Sequence, residues 1–174
     1  MQVFDLRRKP FNPKTGITTL DSCAFNASDS AEAAAAQQIL QLGKNLTAII
    51  FSLHSVREEI AHPNTPQAVK DDDAGMFIST IKTELTDSEQ ARKDKIDRII
   101  RGKSEPETHA ADITNIFEAS KRGAYFVTVD ARLLKKAAEL KKACGIHIVK
   151  PSEWLSAFHN PPKNASIIPA NTSG

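Results

Sequence analysis

Residues 109–134 read HAADITNIFEASKRGAYFVTVDARLL: a helix, a tight turn, a strand and a second helix. Ile113, Ile116 and Phe117 recur at three- and four-residue spacing and give the first helix an apolar stripe. Gly123 follows Lys121 and Arg122, where a helix C-cap belongs. YFVTV, residues 125–129, is apolar and β-branched, the pattern of a strand covered on both faces. It ends in Asp130, and Arg132 and Leu133 open the next helix, over 131–143. A carboxylate at the carboxyl end of a buried parallel strand lies where open α/β sheets place their ligands. Asp112 adds a second carboxylate, early on the helix that feeds the strand.

Outward from this stretch the same alternation continues. ITTL (17–20) is a short strand ended by Asp21. Asp29 or Ser30 caps an alanine-rich helix, and Gly43 is its natural stop. TAIIFSL (47–53) is a second buried strand, and Ser55 is placed to cap the short helix VREEIA before Pro63. Thr65 and Pro66 start another helix, with Val69, Met76, Phe77, Thr80 and Ile81 on its inner face. Thr86 with Glu89, and Ser104 with Glu107, have capping-box spacing; a charged helix ending near Gly102 lies between them. Leu133, Ala137, Leu140 and Cys144 share a helical face, IHIV (146–149) is the last strand, and PSEWLSAF closes with a helical turn. Strands alternating with helices predict an α/β fold, a central parallel sheet of four to five strands covered on both faces. The helices between 66 and 101 exceed that rhythm and predict an inserted helical pair. The boundaries that follow are a basic N-terminal arm over 1–16, one domain over 17–158, and a disordered tail over 159–174 rich in Pro, Asn and Ser.

With 174 residues the chain has the length of one domain with a sizeable core. Its net charge of +2 does not by itself predict nucleic-acid binding, so local clustering matters more. Cys23 and Cys144 are far apart and without metal spacing, which favours a reducing compartment. The first residues have no signal-peptide apolar region, and no apolar run approaches the roughly 20 residues of a membrane span. A cytoplasmic protein without membrane contact is the expectation.

Two strands end directly in aspartate, Asp21 and Asp130. Glu58 and Glu59 lie in the helix after the second strand, and Asp112 precedes the Asp130 strand. In a parallel sheet these positions fall near one edge. Clustered carboxylates repel one another and call for a cation, and hard oxygen ligands select Mg²⁺ or Mn²⁺. Such ions activate water and stabilise charge on a phosphate undergoing in-line displacement.

The segments ITTLDSCAFN, SVREEI, HAADITNIFEA, AYFVTVDARLL and IHIVKPSEWL, in this order, resemble the PIN-domain ribonucleases, most nearly the VapC-type toxins. The resemblance covers roughly residues 17–158. It implies a PIN-like three-layer fold and cleavage of RNA phosphodiesters by a metal-activated water. Asp21, Glu59, Asp112 and Asp130 would be the acidic quartet holding Mg²⁺ or Mn²⁺, and Thr128 the hydroxyl residue two positions before the last acid. Glu59 is preferred to Glu58 because the family's acid directly precedes an aliphatic residue, here Ile60. The resemblance also implies RNA as substrate, an antitoxin protein as partner and a homodimer. The N-terminal arm, the helices around 66–101 and the tail depart from the compact toxins.

Each residue also has a bland role. Asp21 ends a turn, Asp130 caps a helix, Asp112 is a solvated helical acid, and Thr128 satisfies a backbone group. Asp71, Asp72 and Asp73 read as a solvated face, because adjacent helical residues point in different directions. His109 lies one turn before Asp112 and reads as a partly exposed polar residue. Arg92, Lys93, Lys95, Arg98, Arg101 and Lys103 are either an ordinary charged helix or a phosphate-backbone track beside the acids. Two rival functions remain. One is a phosphohydrolase with Asp21 as covalent nucleophile, disfavoured because Cys23 stands where a general acid belongs. The other is a non-catalytic RNA-binding module with the same fold.

Overall fold

The computed structural model describes residues 11–25, 27–74, 76–79, 84–105, 108–123 and 125–161. Strands β1 (Ile17–Leu20), β2 (Ile49–Leu53), β3 (Phe77–Ser79), β4 (Tyr125–Val127) and β5 (His147–Val149) form one all-parallel sheet in the order β3-β2-β1-β4-β5. The run β2-β1-β4-β5 carries the sheet, and β3 extends its β2 edge. The helices flanking it are α1 (Ser22–Phe25), α2 (Ser30–Lys44), α3 (His54–Ile60), α4 (Gln67–Ala74), α5 (Asp87–Arg101), α6 (Ala110–Lys121), α7 (Ala131–Lys135), α8 (Ala137–Cys144) and α9 (Pro151–His159). Central strands have no solvent face, which is why every residue of β4 is buried and why its sequence shows no polar alternation.

Register follows from packing. Leu20 pairs with Val127, and the Asp21 N–H donates to the Val127 carbonyl at 2.9 Å, so β1 and β4 end level. Trp154 on α9 is fully buried and donates its indole N–H to Thr18 of β1 at 2.9 Å. Gly16 is required because a Cβ there would lie 1.9 Å from the Tyr125 ring. Residues 11–16 join the domain: Phe11 stacks on His147 and meets Tyr125 edge-on, and the Asn12 N–H donates to the Tyr125 hydroxyl. Residues 1–10 of the expected arm, and 162–174 of the expected tail, lie outside the described residues.

Several local expectations change. Both helices expected between 66 and 101 are present, as α4 and α5, but the first ends at Ala74 and Phe77 begins β3 between them, while Thr80 and Ile81 lie outside the described residues. A strand wins here because it pairs the otherwise open edge of β2, which a helix would leave unbonded. Helix α2 runs through Gly43 to Lys44; the glycine instead admits the Ile50 side chain, which a Cβ would approach to 2.7 Å. Ser55 lies inside α3, whose N-cap Leu53 makes no side-chain bond. The Thr86–Glu89 capping box forms. Glu107 lies outside the described residues, and α6 starts only at Ala110. The helix expected over 131–143 is broken at Lys136 into α7 and α8. Asp73 is not solvated: it is 3% exposed, pairs with Arg57 at 2.8 Å and accepts from the Ser52 hydroxyl, which ties α4 to α3 and β2.

Candidate active site at the carboxyl edge of the sheet

Chain order reverses between β1 and β4, since β2 and β3 extend from one side and β5 from the other. A crevice opens at the carboxyl ends of strands at such a switch point. Asp21 follows β1 directly, and Asp130 follows β4 after Thr128 and Val129, so both carboxylates stand at this point.

Asp21 is 5% exposed. Its Oδ2 accepts from the Thr128 hydroxyl at 2.7 Å and from the Cys23 thiol at 3.0 Å. Burial pushes its carboxyl above the ordinary value; the bonds from Thr128 and Cys23 oppose this, and the charges of Glu59 and Asp112 add to it. Burial, then the Asp21 charge, pushes the Cys23 thiol up to about 12, so it remains a donor. Thr128 thus does more than satisfy its backbone: it bonds Asp21 and also accepts from the Asp130 N–H at 3.0 Å, linking the two strand ends.

Glu59 reaches this edge from α3. Its Oε2 accepts from the Ser22 hydroxyl at 2.6 Å, and its Oε1 from the Asn115 amide at 2.9 Å. Glu58 points away, exposed and beside His54. Asn115 lies one turn after Asp112 on α6, is 1% exposed, and leaves its Oδ1 buried with no hydrogen-bond partner among the described residues. A second tie fixes the same pair of helices: Glu118 accepts from the N–H and hydroxyl of Ser55. Ser22, Asn115 and Glu118 carry no motif of their own in the sequence. Only the i,i+3 spacing of Asp112 and Asn115 could have pointed to one of them.

Asp112 and Asp130 share one guanidinium. Arg132 Nη2 lies 2.5 Å from Asp130 Oδ2 and 3.4 Å from Asp112 Oδ2, and Nη1 lies 3.0 Å from His109 Nδ1. The guanidinium has only donors, so Nδ1 accepts. His109 is half-buried and also lies 3.5 Å from Asp112, as the one-turn spacing predicts. Burial raises Asp112 against the pull of Arg132, with Asp130 adding repulsion. Burial would raise Asp130 too, but hydrogen bonds from the Arg132 side chain and backbone hold it below the usual range. Asp130 also caps α7, its Oδ1 accepting from the Arg132 N–H at 2.7 Å.

The four acids therefore lie at the same edge of the sheet. Electrostatic coupling joins Asp21 to Glu59 and Asp112, and Asp112 to Asp130. Among the described residues no three His, Cys, Asp or Glu side chains converge as a ready ligand group. The donor set still suits Mg²⁺ or Mn²⁺, since Mg²⁺ is ordinarily bound through one or two carboxylates and keeps several waters. The orphaned Asn115 Oδ1 would have a lone pair to offer such a water.

Two clefts flank the crevice. One of about 490 Å³ runs from Ser22, Cys23 and Glu59 to Asn64 and Val69. The other, about 250 Å³, joins Asp112 and Arg132 to Arg101 and Lys103. The rest of the α5 cluster is dispersed. Lys93 lies over the Phe117 ring at 5.9 Å, and Arg98 bonds the Asp94 carbonyl within its own helix. Arg92 lies about 13 Å along the axis from Arg101, at 1.5 Å rise per residue. No helix among the described residues is long and apolar enough to cross a membrane. No protein-family model matches the chain, and no curated protein matches it.

Proposed function

We propose that this crevice is the active site of a metal-dependent ribonuclease of PIN type. The observation that carries the reading is the buried Asp21 at the β1/β4 switch point, within electrostatic reach of Glu59 and Asp112. Asp21, Glu59, Asp112 and Asp130 would hold Mg²⁺ or Mn²⁺, which supplies an activated water and neutralises charge on the phosphate. The chain's own residues set the geometry. Thr128 and Cys23 orient Asp21; Ser22 and Asn115 orient Glu59; Arg132 pairs with Asp130 and Asp112. A covalent mechanism at Asp21 would need a general acid, and Cys23 stands where that acid belongs, its thiol pushed up to about 12.

The test is cleavage of labelled RNA pools with Mg²⁺, Mn²⁺ or EDTA, run beside thermal melting. Cleavage is expected with either ion and not in EDTA. Mn²⁺ at 100 times its Kd should add about 2.7 kcal/mol of stability. For a chain of this size that raises Tm by roughly 5–10 °C. No cleavage and no shift with either ion would overturn the reading.

Asn115→Ala probes the positioning of Glu59. It removes the donor to Oε1 while Ser55 and Glu118 still join α3 to α6. Cleavage and Mn²⁺ affinity should each fall about 10–100-fold, the usual effect of losing a residue that orients a ligand. Single-turnover cleavage and a Mn²⁺ titration measure both.

A further inference from the structure

Four cations and one histidine border the smaller cleft: Arg101 and Lys103 at the C-terminal end of α5, Arg132 on α7, Lys136 at the α7–α8 break, and His109 before α6. Three separate segments converge there, so this is more than one helix with a charged face. Among the described residues Asp112 is the only acid on its wall, and Arg132 is already drawn to it. Lys136 donates to the Ile99 carbonyl, which holds its ammonium against the last turn of α5. Arg101 pairs with Asp97 on its outer side. Lys103 is exposed and has no ion-pair partner among the described residues. Gly102, at φ 58°, is the left-handed residue that turns the chain between Arg101 and Lys103; a Cβ there would lie 3.8 Å from the Lys136 ammonium.

We infer that this cleft is a phosphate-binding subsite, taking the backbone phosphates of a nucleic-acid strand beside the acidic crevice, with Arg132 at the boundary between them. The inference rests on the proposed ribonuclease reading for the identity of the strand. It departs from a track along the exposed face of α5. Arg92, Lys93 and Arg98 lie outside the cleft lining, and Lys93 is turned towards α6. An acidic crevice alone repels RNA, so cations must offset that repulsion. The cleft places them next to the acids rather than a helix length away. Arginine and lysine donors in a shared concavity suit phosphate oxygens, arginine as a fork and lysine as a point charge.

The test uses two probes on the full chain without added metal. Inorganic tripolyphosphate is followed by backbone amide NMR shifts, and a labelled 12-nucleotide RNA by anisotropy across a KCl series. Tripolyphosphate should shift amides of residues 101–104, 109 and 132–136. The variants Lys103→Gln and Lys136→Gln should each reduce the RNA salt slope by about 0.7, the value for one single-strand phosphate contact. Arg92→Gln and Arg98→Gln should leave the slope unchanged. Because Lys136 also bonds the end of α5, its variant is checked by melting; Lys103→Gln, with no such contact, carries the result alone if Lys136→Gln unfolds. If the slope falls for Arg92→Gln or Arg98→Gln and not for Lys103→Gln, the inference is overturned in favour of the exposed track. If neither probe binds, it is also overturned. If tripolyphosphate shifts the cleft amides but RNA is never cut with Mn²⁺, the subsite stands and the ribonuclease reading fails. Cleavage without any response of the cleft to either probe leaves the ribonuclease reading and removes the subsite.

Discussion

Asp21→Asn is expected to reduce RNA cleavage by more than about 100-fold, since even residues that only orient a ligand are worth 10–100-fold. The same change should stabilise the metal-free protein. Asp21 is buried, and its neighbours Glu59 and Asp112 are like-charged, so its ionised form is disfavoured in the fold. Asn keeps the shape, and its amide oxygen still accepts from Thr128. The effect has a definite pH signature. A carboxyl whose folded pKa is raised above 3.8 binds more protons folded than unfolded between those two values. Stability from this group is therefore fully present below about pH 3.8 and is lost as pH rises through the folded value. Asp112, also raised, contributes in the same sense. In EDTA the parent's Tm should fall as pH rises from about 4 towards neutrality, and Asp21→Asn should flatten that fall. Added Mn²⁺ should restore Tm in the parent and not in the variant. Asp130→Asn gives the contrast. Asn caps a helix nearly as well as Asp, so α7 should survive while cleavage drops. Full activity in both variants would show these acids to be structural.

Trp154→Ala should be strongly destabilising. The ring is fully buried, stacks on Phe158 with centroids 5.2 Å apart, and bonds Thr18 in the middle of β1. Removing a buried aromatic costs about 3–5 kcal/mol, and the buried Thr18 hydroxyl loses its indole donor. For this chain length Tm should drop on the order of 10 °C. Trp154→Phe separates the two contributions, keeping most of the packing and losing the hydrogen bond, and should cost about 1–3 kcal/mol. Because α9 braces β1 and β1 carries Asp21, Mn²⁺ affinity in Trp154→Ala should weaken only where the protein begins to melt. Melting curves with and without Mn²⁺ measure this; an unchanged Tm would mean that α9 is not part of the cooperative unit.

Sequence alone determined strands β1, β2, β4 and β5 and their acid-bearing edge. Strands covered on both faces write themselves as short continuous apolar runs, and ITTL and YFV appear where they were read. Asp21, Glu59, Asp112 and Asp130 fall at one edge because parallel strands all end there, and α6, running back against them, starts there. The capping box at Thr86 was equally legible, being a local hydrogen-bond pattern. What the sequence did not reveal depends on partners distant in the chain. Phe77 fits a helical stripe, but the open edge of β2 recruits it as a strand. Asp73 looks like one of three solvated acids until Arg57 and Ser52 enclose it. Ser55 has a cap's chemistry, yet Glu118, 63 positions away, takes its hydroxyl. Asn115, Ser22 and Arg132 have no signature of their own; they matter because folding sets them against Glu59, Asp112 and Asp130. Periodicity and capping act within a few residues and are written locally. Which buried polar group finds which partner is decided only when helices and strands pack, because the cost of leaving one unpaired arises only once water has gone.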